Sequence, residues 1–190
     1  MKPKLIQLTA TVALMFACSG AVFSLTQIDR PFSQLVDLAD VILVGTVNDA
    51  YSEWGEGKLA GTIFTVLTFD DLDVIKGDVP GTTYEFRHVG GRIGDLIHSY
   101  EGLPRLSVGA RYVLFISGDT NTLFPLVGIG QGAFVVTRDD GASTEKVQTI
   151  NGLDVLGIAD DRIVTSGSDE PVTLEQFLTH IENEMKGASP

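Results

Sequence analysis

Two histidines and a carboxylate, His88, Asp95 and His98, fall within eleven residues of one another. Neutral imidazole and ionised carboxylate are donors that zinc accepts, so this trio is the candidate metal site, and metal-dependent hydrolysis is the chemistry it would support. Its spacing matches no compact ligand pattern such as HExxH. The competing reading places His88 at the rim of a strand face beside Tyr84 and Phe86, with His98 in solvent. His180 falls on the flank of a C-terminal helix.

Other chemistries are poorly supplied. Gly128-Ile129-Gly130-Gln131-Gly132 has the glycine density of a nucleotide loop, but it runs from one apolar stretch into another. With no helix N-terminus to hold a phosphate, a strand bend or bulge is expected. The nucleophile elbow GxSxG is absent, and Cys18 is the single thiol. Asp70-Asp71-Leu72-Asp73, Asp139-Asp140 and Asp160-Asp161 lack the alternating ligands of a calcium loop and read as solvated turns. No cofactor is expected. The residues best suited to recognition are Trp54, Tyr84, Phe86, Arg92 and Tyr100, because aromatic and arginine side chains anchor interfaces.

The elements that must position these residues are mostly strands. Val41 to Val47 is a near-continuous β-branched run, as in a buried strand. Thr62 to Val74 reads as a long strand bent near Asp70-Asp71, and turn chemistry follows at 76–81. From Thr82 to Val89, Tyr84, Phe86 and His88 share one face while Glu85 and Arg87 share the other. The stretch from Gly90 to Ser107 is rich in glycine and lacks periodicity, which predicts a long loop. Arg111 to Ile116, Leu123 to Ile129, Ala133 to Thr137 and Glu145 to Ile150 read as further strands, the last two joined at Asp139-Asp140-Gly141.

Helices are expected only near the ends. Ser33 reads as the N-cap of a short helix up to Asp40. Thr173 and Gln176 form a capping box for a helix over 173–186, whose apolar stripe is Leu174, Phe177, Leu178, Ile181 and Met185.

Lys2 and Lys4 precede an uncharged stretch from Leu5 to Leu25 with a short apolar core and small residues after it. That is the pattern of a secretory signal peptide, read here over residues 1–24 and leaving one domain over 25–190. Met15-Phe16-Ala17-Cys18 loosely matches a lipobox, so a lipidated Cys18 is an alternative, as is an uncleaved leader. Those two cases are the routes to membrane attachment. Otherwise the chain is expected in the periplasm or outside the cell. Losing Lys2 and Lys4 leaves 11 basic against 25 acidic residues, taking the net charge from −12 to −14. Such a surface repels nucleic-acid phosphates.

Four segments taken in order carry a resemblance: Ala39-Asp40-Val41-Ile42-Leu43-Val44-Gly45-Thr46-Val47, Val74-Ile75-Lys76-Gly77, Val108-Gly109-Ala110-Arg111-Tyr112-Val113-Leu114-Phe115, and Gln131-Gly132-Ala133-Phe134-Val135-Val136. Together they resemble a group of exported bacterial proteins of unknown function found near matrixin-like metalloproteases. More distantly, they resemble the netrin-like domain of tissue inhibitors of metalloproteinases. The resemblance implies a mainly β (α+β) fold, a small OB-like, netrin-like β-barrel with accessory helices. Those inhibitors bind the catalytic zinc through a disulfide-fixed N-terminal Cys, which Cys18 does not provide. The expectation is an exported, non-enzymatic module for an unknown extracellular or periplasmic protein partner. The alternatives are an inhibitor or accessory domain of a secreted metalloprotease, and a hydrolase using His88, Asp95 and His98.

Overall fold

The structure, a computed structural model, describes residues 29–118 and 123–187. The leader, its lysines and Cys18 lie outside the described residues. The helix α1 (Phe32–Leu38) leads into β1 (Val41–Trp54), which turns through a 3-10 segment at Gly57–Leu59 into β2 (Ile63–Lys76). Next come β3 (Tyr84–Val89), a small hairpin of β4 (Gly91–Ile93) and β5 (Leu96–His98), and β6 (Arg111–Ile116). After a 3-10 turn at Ile129–Gly132 follow β7 (Ala133–Arg138), β8 (Glu145–Thr149), a second small hairpin of β9 (Gly157–Ala159) and β10 (Arg162–Val164), and α2 (Leu174–Gly187).

Six strands make one antiparallel sheet in the order β3-β2-β1-β6-β7-β8. Successive side chains on β1 and β6 divide between its faces. Ile42, Val44, Val113 and Phe115 join Phe134, Val136 and Val147 beneath the two helices, where Phe32, Leu35, Phe177 and Ile181 close the core. Leu43, Val47, Tyr112 and Leu114 face the other way, with Leu67, Phe69 and Phe86, under the partly buried Leu106 and Phe124. Burial on both faces explains why the first half of β1, Val41 to Val47, and Tyr112 to Ile116 of β6 are near-continuous apolar runs in sequence.

The expected barrel is not formed; the sheet is mainly β but open. Closure requires the two edge strands to meet, and each edge here is occupied otherwise. Lys146 and Gln148 of β8 bridge to Thr173 and Asp154. On β3, the Val89 N–H donates to the Leu123 carbonyl at 2.7 Å. The bend expected near Asp70-Asp71 is present: the β1–β2 register slips between Val44 and Thr46, and Asp71 takes a left-handed φ of 51°.

Other expectations are corrected. Residues 123–129 form no strand; Leu126 makes a single bridge to Ile116, and the chain then tightens into the 3-10 turn. Gly132 ends that turn where a Cβ would lie 2.5 Å from the Val127 carbonyl, so the glycine is there for close backbone approach.

Ser33 is not the N-cap of α1; that position is Pro31, which has no side-chain acceptor. Ser33 sits one turn position inside and donates both its N–H (2.7 Å) and its hydroxyl (2.6 Å) to the Asp161 carboxylate. The Asp161 carbonyl accepts the Phe32 N–H at 2.8 Å. Asp160 and Asp161 are therefore more than a solvated turn. They connect β9 to β10 with left-handed φ of 49° and 59°, as a two-residue hairpin turn requires, and present Asp161 to the amides that α1 leaves unpaired. The capping box of α2 forms as expected: Thr173 N–H donates to Gln176 Oε1 at 2.9 Å, and Gln176 N–H to Thr173 Oγ1 at 3.2 Å.

Candidate functional site

The recognition residues gather where β1 ends and β2 begins. Ser52 and Trp54 pair across from Thr65 and Ile63 and share a face with them. The β4–β5 hairpin lies on that face, so the stretch expected as an irregular loop has structure of its own at 91–98. Four hydrogen bonds fix it. Gly90 N–H donates to the Ile63 carbonyl (2.8 Å), Thr65 Oγ1 to the Gly90 carbonyl (2.8 Å), Arg92 N–H to Ser52 Oγ (3.2 Å), and Ile63 N–H to His98 Nδ1 (3.3 Å). A Cβ on Gly91, whose φ is +137°, would sit 2.6 Å from both Ser52 Oγ and Thr65 Oγ1. Glycine at 91 is thus what lets the hairpin lie flat.

The tip that results is apolar and exposed. Leu96 and Ile97 are 56% and 62% exposed, and Trp54 is 43% exposed. Trp54 meets the His98 ring edge-on with centroids 6.5 Å apart. Tyr100, also exposed, follows β5, its ring close to Gly90. Arg92 folds its guanidinium over the hairpin turn, donating from Nε to the Gly94 carbonyl at 2.8 Å. Behind this tip, Arg87 stacks 3.5 Å over the Phe64 ring and donates to Glu53 at 2.7 Å, stiffening the β1–β2–β3 ribbon.

Of the five recognition candidates, the structure brings Trp54, Arg92 and Tyr100 together and removes the other two. Phe86 is 1% exposed and packs edge-on against Phe69 and Phe124, so it belongs to the core. Tyr84 is half-buried against the same cluster, and burial pushes its phenol above the usual range. Leu96 and Ile97 were missed. Gly94-Asp95 between Ile93 and the Leu96-Ile97 pair is the available signal, a two-residue turn with Gly94 in the left-handed region.

The metal trio does not assemble. Among the described residues, no three His, Cys, Asp or Glu side chains converge as a metal-binding group. His88 points to the core side of β3, between the rings of Phe86 and Phe124, and its Nδ1 lies 2.9 Å from the Val89 carbonyl. Nδ1 therefore carries the proton, and burial holds the imidazole below its usual pKa. His98 has the opposite arrangement, its Nδ1 accepting from Ile63, which leaves the proton on Nε2. It is not a solvated side chain but a wedge between hairpin and ribbon. Asp95 is exposed in the hairpin turn, and His180 is exposed on α2.

Comparison with known proteins finds no matching family model, no matching curated protein and no matching solved structure. The likeness to netrin-like domains accordingly rests on its four sequence segments.

Proposed function

We propose that the chain is an exported, non-enzymatic binding module that engages a protein partner through the β4–β5 tip. The observation that carries this is the pairing of exposure with rigidity. Trp54, Leu96 and Ile97 are large, apolar and solvent-facing, yet Leu96 and Ile97 sit on a hairpin pinned to the β1–β2 ribbon by four hydrogen bonds and Trp54 ends β1 beside it. Ordering such side chains on binding costs little, which favours them as anchors. A patch this size is smaller than the roughly 1,200–2,000 Å² of a stable interface, so the tip acts as the anchor of a wider contact. Export is supported by the leader pattern, and the net charge of −12 disfavours nucleic acid. Among the described residues no helix is long and apolar enough to cross a membrane.

The test is cross-linking of the tagged full chain in its native cell envelope and medium, wild type beside Leu96→Asp/Ile97→Asp. Both positions are exposed, so the variant is expected to melt with the wild type while losing its specific adducts. Identical adducts from both proteins would end the proposal.

A further inference from the structure

A cleft of about 500 Å³ opens where the start of β7, the end of β8 and β10 meet the residues leading into α1 and the 102–104 segment. It shares no lining residue with the hairpin tip. Its accessible apolar lining is Leu103, Leu153 and the partly buried Ile163, over a floor made by the fully buried Leu35 and Phe134. Asp29 and Arg30 line it as well. The two charges are not equivalent. Asp29 faces Arg162 at 3.5 Å. The Arg30 guanidinium has no ion-pair or hydrogen-bond partner among the described residues, although its backbone is held by the bond from its N–H to Gln131 Oε1 (3.0 Å). Its stem lies along Gly128, where a Cβ would stand 3.2 Å from Arg30 Cδ.

Among the described residues Lys58 and Arg105 also lack an ion pair, but neither lines this cleft, and Arg30 does. Arg87, Arg111, Arg138, Lys146, Arg162 and Lys186 are each paired with a carboxylate. A guanidinium beside apolar surface, without a carboxylate of its own, is arranged to receive one, in two parallel N–H···O bonds. We propose that this cleft binds an amphipathic carboxylate, with the apolar body against Leu103, Leu153 and Ile163 and the carboxylate on Arg30. A free aliphatic acid and the C-terminal end of an apolar peptide offer the same chemistry.

The experiment is calorimetric and NMR titration of the purified full chain with two probes, octanoate and the acetylated tetrapeptide Leu-Val-Phe-Leu with a free C-terminus. Octanamide and the peptide's C-terminal amide serve as controls. Saturable binding of either carboxylate is expected, weakened about tenfold by amidation and about tenfold by Arg30→Gln. Octanoate alone would assign a free acid, and the peptide alone a chain end. Gly130→Leu supplies an independent block. Position 130 lines the cleft outside the left-handed region, and a Cβ there meets only Ile150 at an ordinary 3.6 Å, so a leucine adds bulk to the lining without backbone strain. It is expected to abolish binding of both probes with the melting temperature kept. Absence of saturation by both probes up to about 10 mM, or equal affinity for Arg30→Gln and wild type, would overturn the proposal.

Discussion

Asp161 closes the amino end of α1 from 128 positions away, and replacing it tests whether that link matters to the whole fold. Asp161→Ala removes two hydrogen bonds to Ser33, at 2.7 and 2.6 Å, and leaves the Phe32-to-carbonyl bond in place. Loss of a side-chain cap costs about 1–2 kcal/mol, and the exposure of Asp161 holds the value within that range by solvent screening. Alanine at a φ of 59° adds about 1 kcal/mol, because its Cβ crowds the carbonyl in the left-handed region. The total is about 2–3 kcal/mol, or roughly 5–10 °C in melting temperature for a domain of this size. Asp161→Asn tolerates the same φ and keeps one acceptor, so about half that loss is expected.

The pH dependence separates the cap from general damage. The Ser33 hydroxyl, and then the Ser33 amide, hold the Asp161 carboxyl below its usual range. A carboxyl with a lower pKa folded than unfolded stabilises fully above its unfolded value, about 3.9, and loses that stabilisation as pH falls through the folded value. Urea midpoints at pH 7 and near pH 3 measure this directly. The gap between wild type and Asp161→Asn is expected to narrow at the lower pH, with unchanged m-values. A gap equal at both pH values, or an Asp161→Ala midpoint matching wild type at pH 7, would refute the reasoning.

Phe177→Ala is expected to cost about 3–5 kcal/mol in urea unfolding, since its fully buried ring packs between Phe32 and Phe134 with centroids 5.8 and 4.9 Å away. His88, held neutral by burial, should titrate by NMR below the usual value of about 6.5, and stability should fall as pH drops from there towards the folded value, because the unfolded chain takes up the proton first. His88→Phe removes that group, so the variant's stability should fall less than wild type's between pH 7 and pH 5.

What the sequence made legible was local. The capping box at Thr173 and Gln176, the stripe of α2 and the apolar runs of β1 and β6 all depend on neighbours within a few residues, and all are present. Short-range sequence points to Ser33 as the cap of α1 because serine is a good local acceptor. The structure uses it as a donor to Asp161 instead, a partner that no short window contains. The apolar segment 123–129 has the composition of a strand, but it pairs with the end of β6 only at Leu126, where the Val127 N–H donates to the Phe115 carbonyl at 2.9 Å, before the chain turns away into the 3-10 segment. Barrel closure depends on which segments reach the edges of β3 and β8, and bridges from Thr173 and Asp154 decide it. At the tip, Trp54 was visible as a residue type, whereas Leu96 and Ile97 needed the Gly94-Asp95 turn to be seen as a hairpin.

The link between Ser33 and Asp161 also orders events in time. A seven-residue helix is too short to persist in water alone, and α1 is made before nearly everything that holds it. Its amides wait for residue 161, and its apolar side waits for Phe177. A chain emerging amino end first therefore cannot complete this core until almost all of it has been delivered. The finished state of the domain is thereby tied to the arrival of its last helix.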